Sequence, residues 1–78
     1  MSRDQTIILV FESVHDVVRA EKTLKKAHIW CDLVPTPREI SSDCGMSVEC
    51  HADDLPRLEL LQDQGMLCWE QVHAQKSA

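Results

Sequence analysis

The order in which strand-like and helix-like apolar periodicities follow one another constrains this chain most. Residues 6–11 (TIILVF) are a short, apolar, β-branched run and read as a buried strand. Ser13-Val14-His15-Asp16 then reads as a helix start, with Ser13 as cap and Asp16 as the acidic member of a capping box. Val14, Val17, Val18, Leu24 and Ala27 recur at helical spacing with Ala20 between them, while Arg19, Glu21, Lys22, Lys25 and Lys26 take the other faces. Lys25, Lys26 and His28 suit the negative pole of that helix. Residues 29–35 (IWCDLVP) form a second strand, ended by Pro35 and Pro37. Residues 45–50 (GMSVEC) alternate, with Met46, Val48 and Cys50 on one face and Ser47 and Glu49 on the other. Asp53 or Asp54 caps a second helix, Pro56 falls in its first turn, and Leu55, Leu58 and Leu61 make its apolar stripe. Gly65 is a natural stop. Residues 66–72 (MLCWEQV) are expected to be a last, weaker strand and residues 73–78 a frayed tail.

The element order is therefore β-α-β-β-α-β. Right-handed crossovers in both βαβ units favour a ferredoxin-like α+β sandwich. Its sheet is four-stranded and antiparallel, in spatial order 4-1-3-2, with two helices on one face. The other face is then solvated or paired with another subunit, and Trp30 and Trp69 are candidates to cover it. A chain of 78 residues makes one domain, 1–78, with an ordered core expected over about 6–72. Its core is necessarily small, and oligomerisation is a common remedy at this size. A homodimer through the open sheet face is expected on that ground.

Hydrophobic residues make up 44% of the chain, enough for a folded globule. The net charge is −5, with both signs mixed along the sequence. Duplex nucleic acid and anionic membrane both call for a cationic footprint, so neither is expected as a partner. There is no tyrosine and one phenylalanine, which leaves few platforms for base stacking. Met1-Ser2-Arg3-Asp4-Gln5 opens no signal peptide, and the apolar run at residues 7–11 is too short for a secretory or membrane-spanning segment. The expected location is the cytoplasm, where the four cysteines (31, 44, 50 and 68) are read as free thiols.

The run Pro35-Thr36-Pro37-Arg38-Glu39-Ile40-Ser41-Ser42-Asp43-Cys44-Gly45 reads as a loop, from its prolines, serines and glycine. Loops carry function more often than packing. In the expected topology this loop lies at the sheet end where the first strand leaves, so Cys44 and Gly45 should approach Glu12, Ser13 and the start of the first helix. A thiol pKa falls near a helix N-terminus or a cation. The helix start at Ser13 offers N–H groups, Arg38 and His15 are cationic or donor groups, and Ser41 and Ser42 add hydroxyls. Gly45 lets the backbone approach an anion closely. Glu12, Glu39 and Asp43 act in the opposite direction. The alternative is structural: Cys44 fills the hairpin end, and Arg38 pairs with Glu39 or Asp43.

The other three cysteines are read as small buried hydrophobes. Cys44 and Cys50 would sit about 20 Å apart on an extended strand, too far for a shared metal or a disulfide. Cys31 and Cys50 are expected to be cross-strand neighbours at the end away from Cys44, and Cys68 is expected on the far edge strand. No C-x-x-C is present, Cys50-His51 side chains diverge on a strand, and histidines 15, 28, 51 and 73 show no zinc spacing, so no metal is expected. No phosphate loop, dinucleotide fingerprint or serine triad occurs, and no cofactor is expected.

Phe11-x-Ser13-x-His15, Ala20-Glu21-Lys22, then Leu33-Val34-Pro35-Thr36-Pro37-Arg38-Glu39-Ile40-Ser41 and Cys44-Gly45 resemble the Se/S carrier-like family of small bacterial domains. The resemblance covers Thr6 to about Val72, and its specific part is the run P-x-P-R-E-I-S-x-x-C-G. It implies a carrier of sulfur or selenium, with Cys44 as the carrier thiol and Arg38 and Gly45 as parts of its setting. The implied partners are a donor, such as a cysteine desulfurase or sulfurtransferase, and an acceptor protein. The implied role is that of a carrier rather than an enzyme with turnover. Against the family's usual single loop cysteine, this chain adds Cys31, Cys50 and Cys68, which leaves open a second thiol resolving a persulfide in trans. Two other classes stand beside the carrier. One is a small-ligand or anion-sensing module built on Arg38 and the helix start. The other is an adaptor or oligomerisation domain that uses the open sheet face.

Overall fold

The computed structural model describes residues 5–40 and 45–75. Ser41, Ser42, Asp43 and Cys44 lie outside the described residues. The chain runs β1 (Thr6–Val10), α1 (Val14–Lys26), β2 (Cys31–Pro35), β3 (Met46–His51), a single 3-10 turn (Ala52–Asp54), α2 (Leu55–Asp63) and β4 (Gln71–Gln75). The architecture is α+β, with a four-stranded antiparallel sheet in the order β2-β3-β1-β4 and two helices. Read from the opposite edge, the neighbours run 4-1-3-2.

β1 is central and pairs with β3 and β4, which explains why it is the most apolar strand. The apolar alternation sorts its side chains. Ile7, Leu9 and Phe11 join Val48 and Cys50 of β3, Val17, Ala20 and Leu24 of α1, and Leu58 of α2 in one core. Both helices therefore pack against the same sheet face. On the other face Ile8 and Val10 are buried between Glu49 and Ser47 on β3 and His73 and Gln71 on β4. Polar pairs dress that face: Thr6 Oγ1 donates to Glu49 Oε2 at 3.0 Å, and His73 Nε2 and Gln71 Oε1 lie 2.7 Å apart.

α1 starts as its sequence requires. Ser13 is extended (φ −145°, ψ 163°), and its hydroxyl accepts the Asp16 N–H at 3.4 Å. Both helices end in the same backbone device. Ile29 N–H donates to Leu24 O at 2.9 Å and His28 N–H to Lys25 O at 3.1 Å; Met66 N–H donates to Leu61 O at 2.9 Å and Gly65 N–H to Gln62 O at 3.0 Å. Each device needs one left-handed residue. Gly65 (φ 78°) fills that place after α2, as expected, whereas His28 (φ 58°) fills it after α1. A buried pair, Leu24 and Ile29, closes the first one. α2 is preceded by a 3-10 turn, and Asp54 stands at its N-cap without a side-chain capping bond, pairing with Arg57 at 3.6 Å instead. Leu58 is buried, and Leu55 and Leu61 pack against the core.

The C-terminal third departs from the sequence expectation. The strand expected at 66–72 forms at Gln71–Gln75, so residues 73–75 are paired strand and no frayed tail. Residues 66–70 connect α2 to β4, with Leu67 buried and Trp69 packed against the core. Their apolar character serves this packing, while β4 is recruited by β1 through pairs such as Ile8 with His73. Trp69 thus packs against the helix-side core instead of covering the open face. Cys68 is exposed and lies in the connection, neither buried nor on the edge strand. Trp30 is 46% exposed and its ring stacks on His51, centroids 4.5 Å apart.

Candidate functional site

The β2–β3 hairpin is closed by backbone and side chains together. Thr36 N–H donates to Gly45 O at 3.0 Å, one step beyond the Pro35–Met46 pair. Directly above it, the Thr36 and Ser47 hydroxyls lie 2.7 Å apart, with Ser47 fully buried. Pro35 is tolerated here because β2 is an edge strand, and alternation of the ladder turns its nitrogen away from β3. Beyond the closure, Ile40 N–H returns to Pro37 O at 3.0 Å, a turn that carries Arg38 and Glu39 on its exposed tip and leaves Ile40 half-buried.

Among the sequence-predicted site residues, Arg38, Gly45, Ser13 and His15 are described. Ser41, Ser42 and Cys44 fall outside the described residues. Arg38 and Gly45 are exposed, and a side chain placed on Gly45 would meet open space. Packing among the described residues therefore does not demand a glycine there. The β1–β3 register (Val10 with Ser47) puts Gly45 at the sheet end where Glu12 and Ser13 lead from β1 into α1. Ser13 spends its hydroxyl locally, on the Asp16 N–H and the Asp16 carboxylate, both at 3.4 Å. The Asp16 and Val17 amides bond to Ser13 O at 3.1 and 3.2 Å. The amides of Val14 and His15 are the first-turn donors that helix geometry leaves without an intrahelical acceptor. His15 is exposed.

The remaining thiols differ in chemistry. Burial pushes the Cys50 thiol up to about 12, with Cys31, Asp54 and Glu49 adding to it. Burial also raises Cys31, with Glu21 and Asp32 in the same direction and Lys25 opposing. Cys50 is thus a neutral thiol at physiological pH. Cys31 is half-buried rather than fully buried, because β2 is an edge strand.

A second concavity was not anticipated from sequence. An open cleft of about 320 Å³ at the opposite end of the sheet is lined by His28, Trp30, His51, Asp53, Asp54 and Arg57. Arg57 crosses it to Ala27 O at 2.9 Å. His51 Nδ1 is buried without a hydrogen-bond partner among the described residues. The cross-strand position of Trp30 opposite His51 was the signal available, since it follows from the β2–β3 register. Among the described residues, no group of three or more His, Cys, Asp or Glu side chains is arranged to hold a metal ion. No helix among them is long and apolar enough to cross a membrane.

No curated protein and no solved structure matches the chain. A family model does match, over residues 6–73, which takes in both helices, the whole β2–β3 hairpin and all but the end of β4. The chain belongs to the putative Se/S carrier protein-like family.

Proposed function

We propose that this protein carries sulfur or selenium on the thiol of Cys44 and relays it between proteins. Membership of the Se/S carrier family across residues 6–73 is the observation that carries this reading. The hairpin supports it. Its base is pinned by Thr36, Gly45 and Ser47, and the flanking Arg38, Glu39 and Gly45 are exposed, as a loop that must meet other proteins requires. Among the described cysteines, Cys50 is too deeply buried to meet a donor or acceptor protein.

In this mechanism the Cys44 thiolate attacks the terminal sulfur of a donor persulfide. The donor thiolate leaves, and Cys44 holds a persulfide (or, with selenium, a selenopersulfide). An acceptor thiolate then attacks the same terminal atom and regenerates the Cys44 thiolate, with no net oxidation. Arg38, the Gly45 amide, the Ser41 and Ser42 hydroxyls, His15 and the helix start capped by Ser13 hold the anion. Donors of the cysteine desulfurase or sulfurtransferase class fit the first step. Such a relay works where thiols are kept reduced, and the cytoplasm is the location that fits this reading. We read the sandwich as ferredoxin-like, with its open face free for a second copy or a partner at Trp30.

The test is mass spectrometry after incubation with a cysteine desulfurase and cysteine. Added sulfur on the Cys44 peptide, lost in Cys44→Ser, is expected. Absence of sulfur on Cys44 overturns the relay. Retained anion binding in Cys44→Ser would point to a sensing module instead.

A further inference from the structure

Cys31 and Cys50 stand directly opposite each other across the β2–β3 ladder. Both belong to the helix side of the sheet: Cys50 is fully buried in the core, and Cys31 packs against it from the edge strand. Whether two such residues can be joined depends on the type of pair. Hydrogen-bonded and non-hydrogen-bonded pairs alternate along an antiparallel ladder. The Thr36–Gly45 bond (3.0 Å) marks that pair as hydrogen-bonded. Counting along the register to Cys31–Cys50 crosses an odd number of steps, so this pair is of the non-hydrogen-bonded type. The other side of β3 gives the same answer. Ala52 N–H donates to Gln5 O at 3.1 Å, so even-numbered residues of β3 direct their peptide groups to β1, away from β2. In a non-hydrogen-bonded pair the Cα atoms lie about 4.5 Å apart, inside the roughly 4.4–6.8 Å span of disulfides.

We propose that Cys31 and Cys50 are a redox-active dithiol that closes into a cross-strand disulfide on contact with an oxidised low-molecular-weight disulfide. The half-exposed Cys31 reacts first. Its thiolate attacks one sulfur of the external disulfide, a mixed disulfide forms, and one external thiolate leaves and takes up a proton. Cys50 then gives up its proton as it attacks Cys31 Sγ, and the second external thiolate is expelled and takes up a proton. Two protein thiols are oxidised and one external disulfide is reduced to two thiols. Burial of Cys50 assigns it the second role, because only a neighbour already on Cys31 is within its reach. The closed form staples edge strand β2 to β3 at the end of the ladder away from Thr36 and Gly45, so the redox state of the pair sets how tightly that hairpin is held. The pair acts independently of any cargo on Cys44.

The experiment uses the full chain with Cys44→Ser and Cys68→Ser, treated with oxidised glutathione and read by intact mass. The expected result is loss of the mass of two hydrogen atoms, a Cys31–Cys50 cross-linked peptide in a non-reducing digest, and reversal by dithiothreitol. Adding Cys50→Ala should instead leave glutathione on Cys31. Glutathione that persists on Cys31 while Cys50 is present, or two thiols that stay unchanged, overturns the proposal. Should Cys50→Ala not fold, Cys31→Ser replaces it: Cys50 should then stay unmodified, and a glutathione adduct on it overturns the assigned order of attack. Because Cys44 is absent throughout, failure here is distinct from failure of the carrier reading.

Discussion

The hydroxyls of Thr36 and Ser47 meet at 2.7 Å across the mouth of the β2–β3 hairpin. Ser47 is the buried polar residue among the described residues, and this contact is what its hydroxyl receives. Thr36→Val should lower stability by about 1–3 kcal/mol, the penalty for depriving a buried hydroxyl of its partner. Thr36→Val with Ser47→Ala should recover part of that loss. Urea unfolding in a double-mutant cycle reads the coupling; strictly additive changes would count against the contact.

Cys50 should make the fold sensitive to alkali. Its folded pKa lies above its unfolded one, so the unfolded chain loses the proton first. The neutral thiol therefore contributes stability in full below about pH 9, and that contribution declines as the pH rises toward about 12. The stability difference between the parent and Cys50→Val should shrink steadily over that window. A difference independent of pH would show that the thiol is not held neutral by folding. The charged groups that add to burial are Cys31, Asp54 and Glu49, so Asp54→Asn should lower the folded pKa of the thiol and narrow the window over which stability is lost.

Leu58 is the buried residue of α2. Leu58→Ala should cost about 2–5 kcal/mol, most of the stability available to a domain this small. Circular dichroism should show loss of helix at a denaturant concentration where the parent is folded. Leu60→Ala, an exposed position on the same helix, should change little and serves as the control.

The carrier reading predicts an activated thiol. In a variant with Cys31, Cys50 and Cys68 replaced, the rate of Cys44 alkylation against pH should report a pKa below the usual value of about 8.5. Arg38→Ala should raise that pKa, by up to about one unit, or roughly tenfold in thiolate at neutral pH. An ordinary or raised value in the parent favours the alternative in which Cys44 only fills the hairpin end.

His28 holds a left-handed conformation (φ 58°) at the end of α1. His28→Gly should relieve strain of about 1 kcal/mol, partly offset by the added freedom of the unfolded chain. A small rise in the unfolding midpoint is expected. A fall would show that the imidazole contributes to the cleft beside Trp30 and His51.

Local pattern determined most of the elements. The β-branched run of β1, the Ser13 cap and the Leu55/Leu58/Leu61 stripe each carry a periodicity that a few neighbouring residues suffice to express, and Gly65 marks the end of α2 because left-handed backbone favours glycine. The loop run 35–45 was legible for the same reason, since prolines, serines and glycine act locally. Tertiary structure decided what depends on distant partners. β4 formed over Gln71–Gln75 because β1 presents a free edge there, although Gln71, His73 and Gln75 carry no apolar signal. In the connection before it, Leu67 and Trp69 pack against the core, while Met66 and Cys68 are exposed. The alternation of residues 45–50 already placed Cys50 on the core face. Its type of pairing with Cys31 waited on Thr36 and Gly45, because register is set where the two strands close, and the composition of the intervening loop does not encode it.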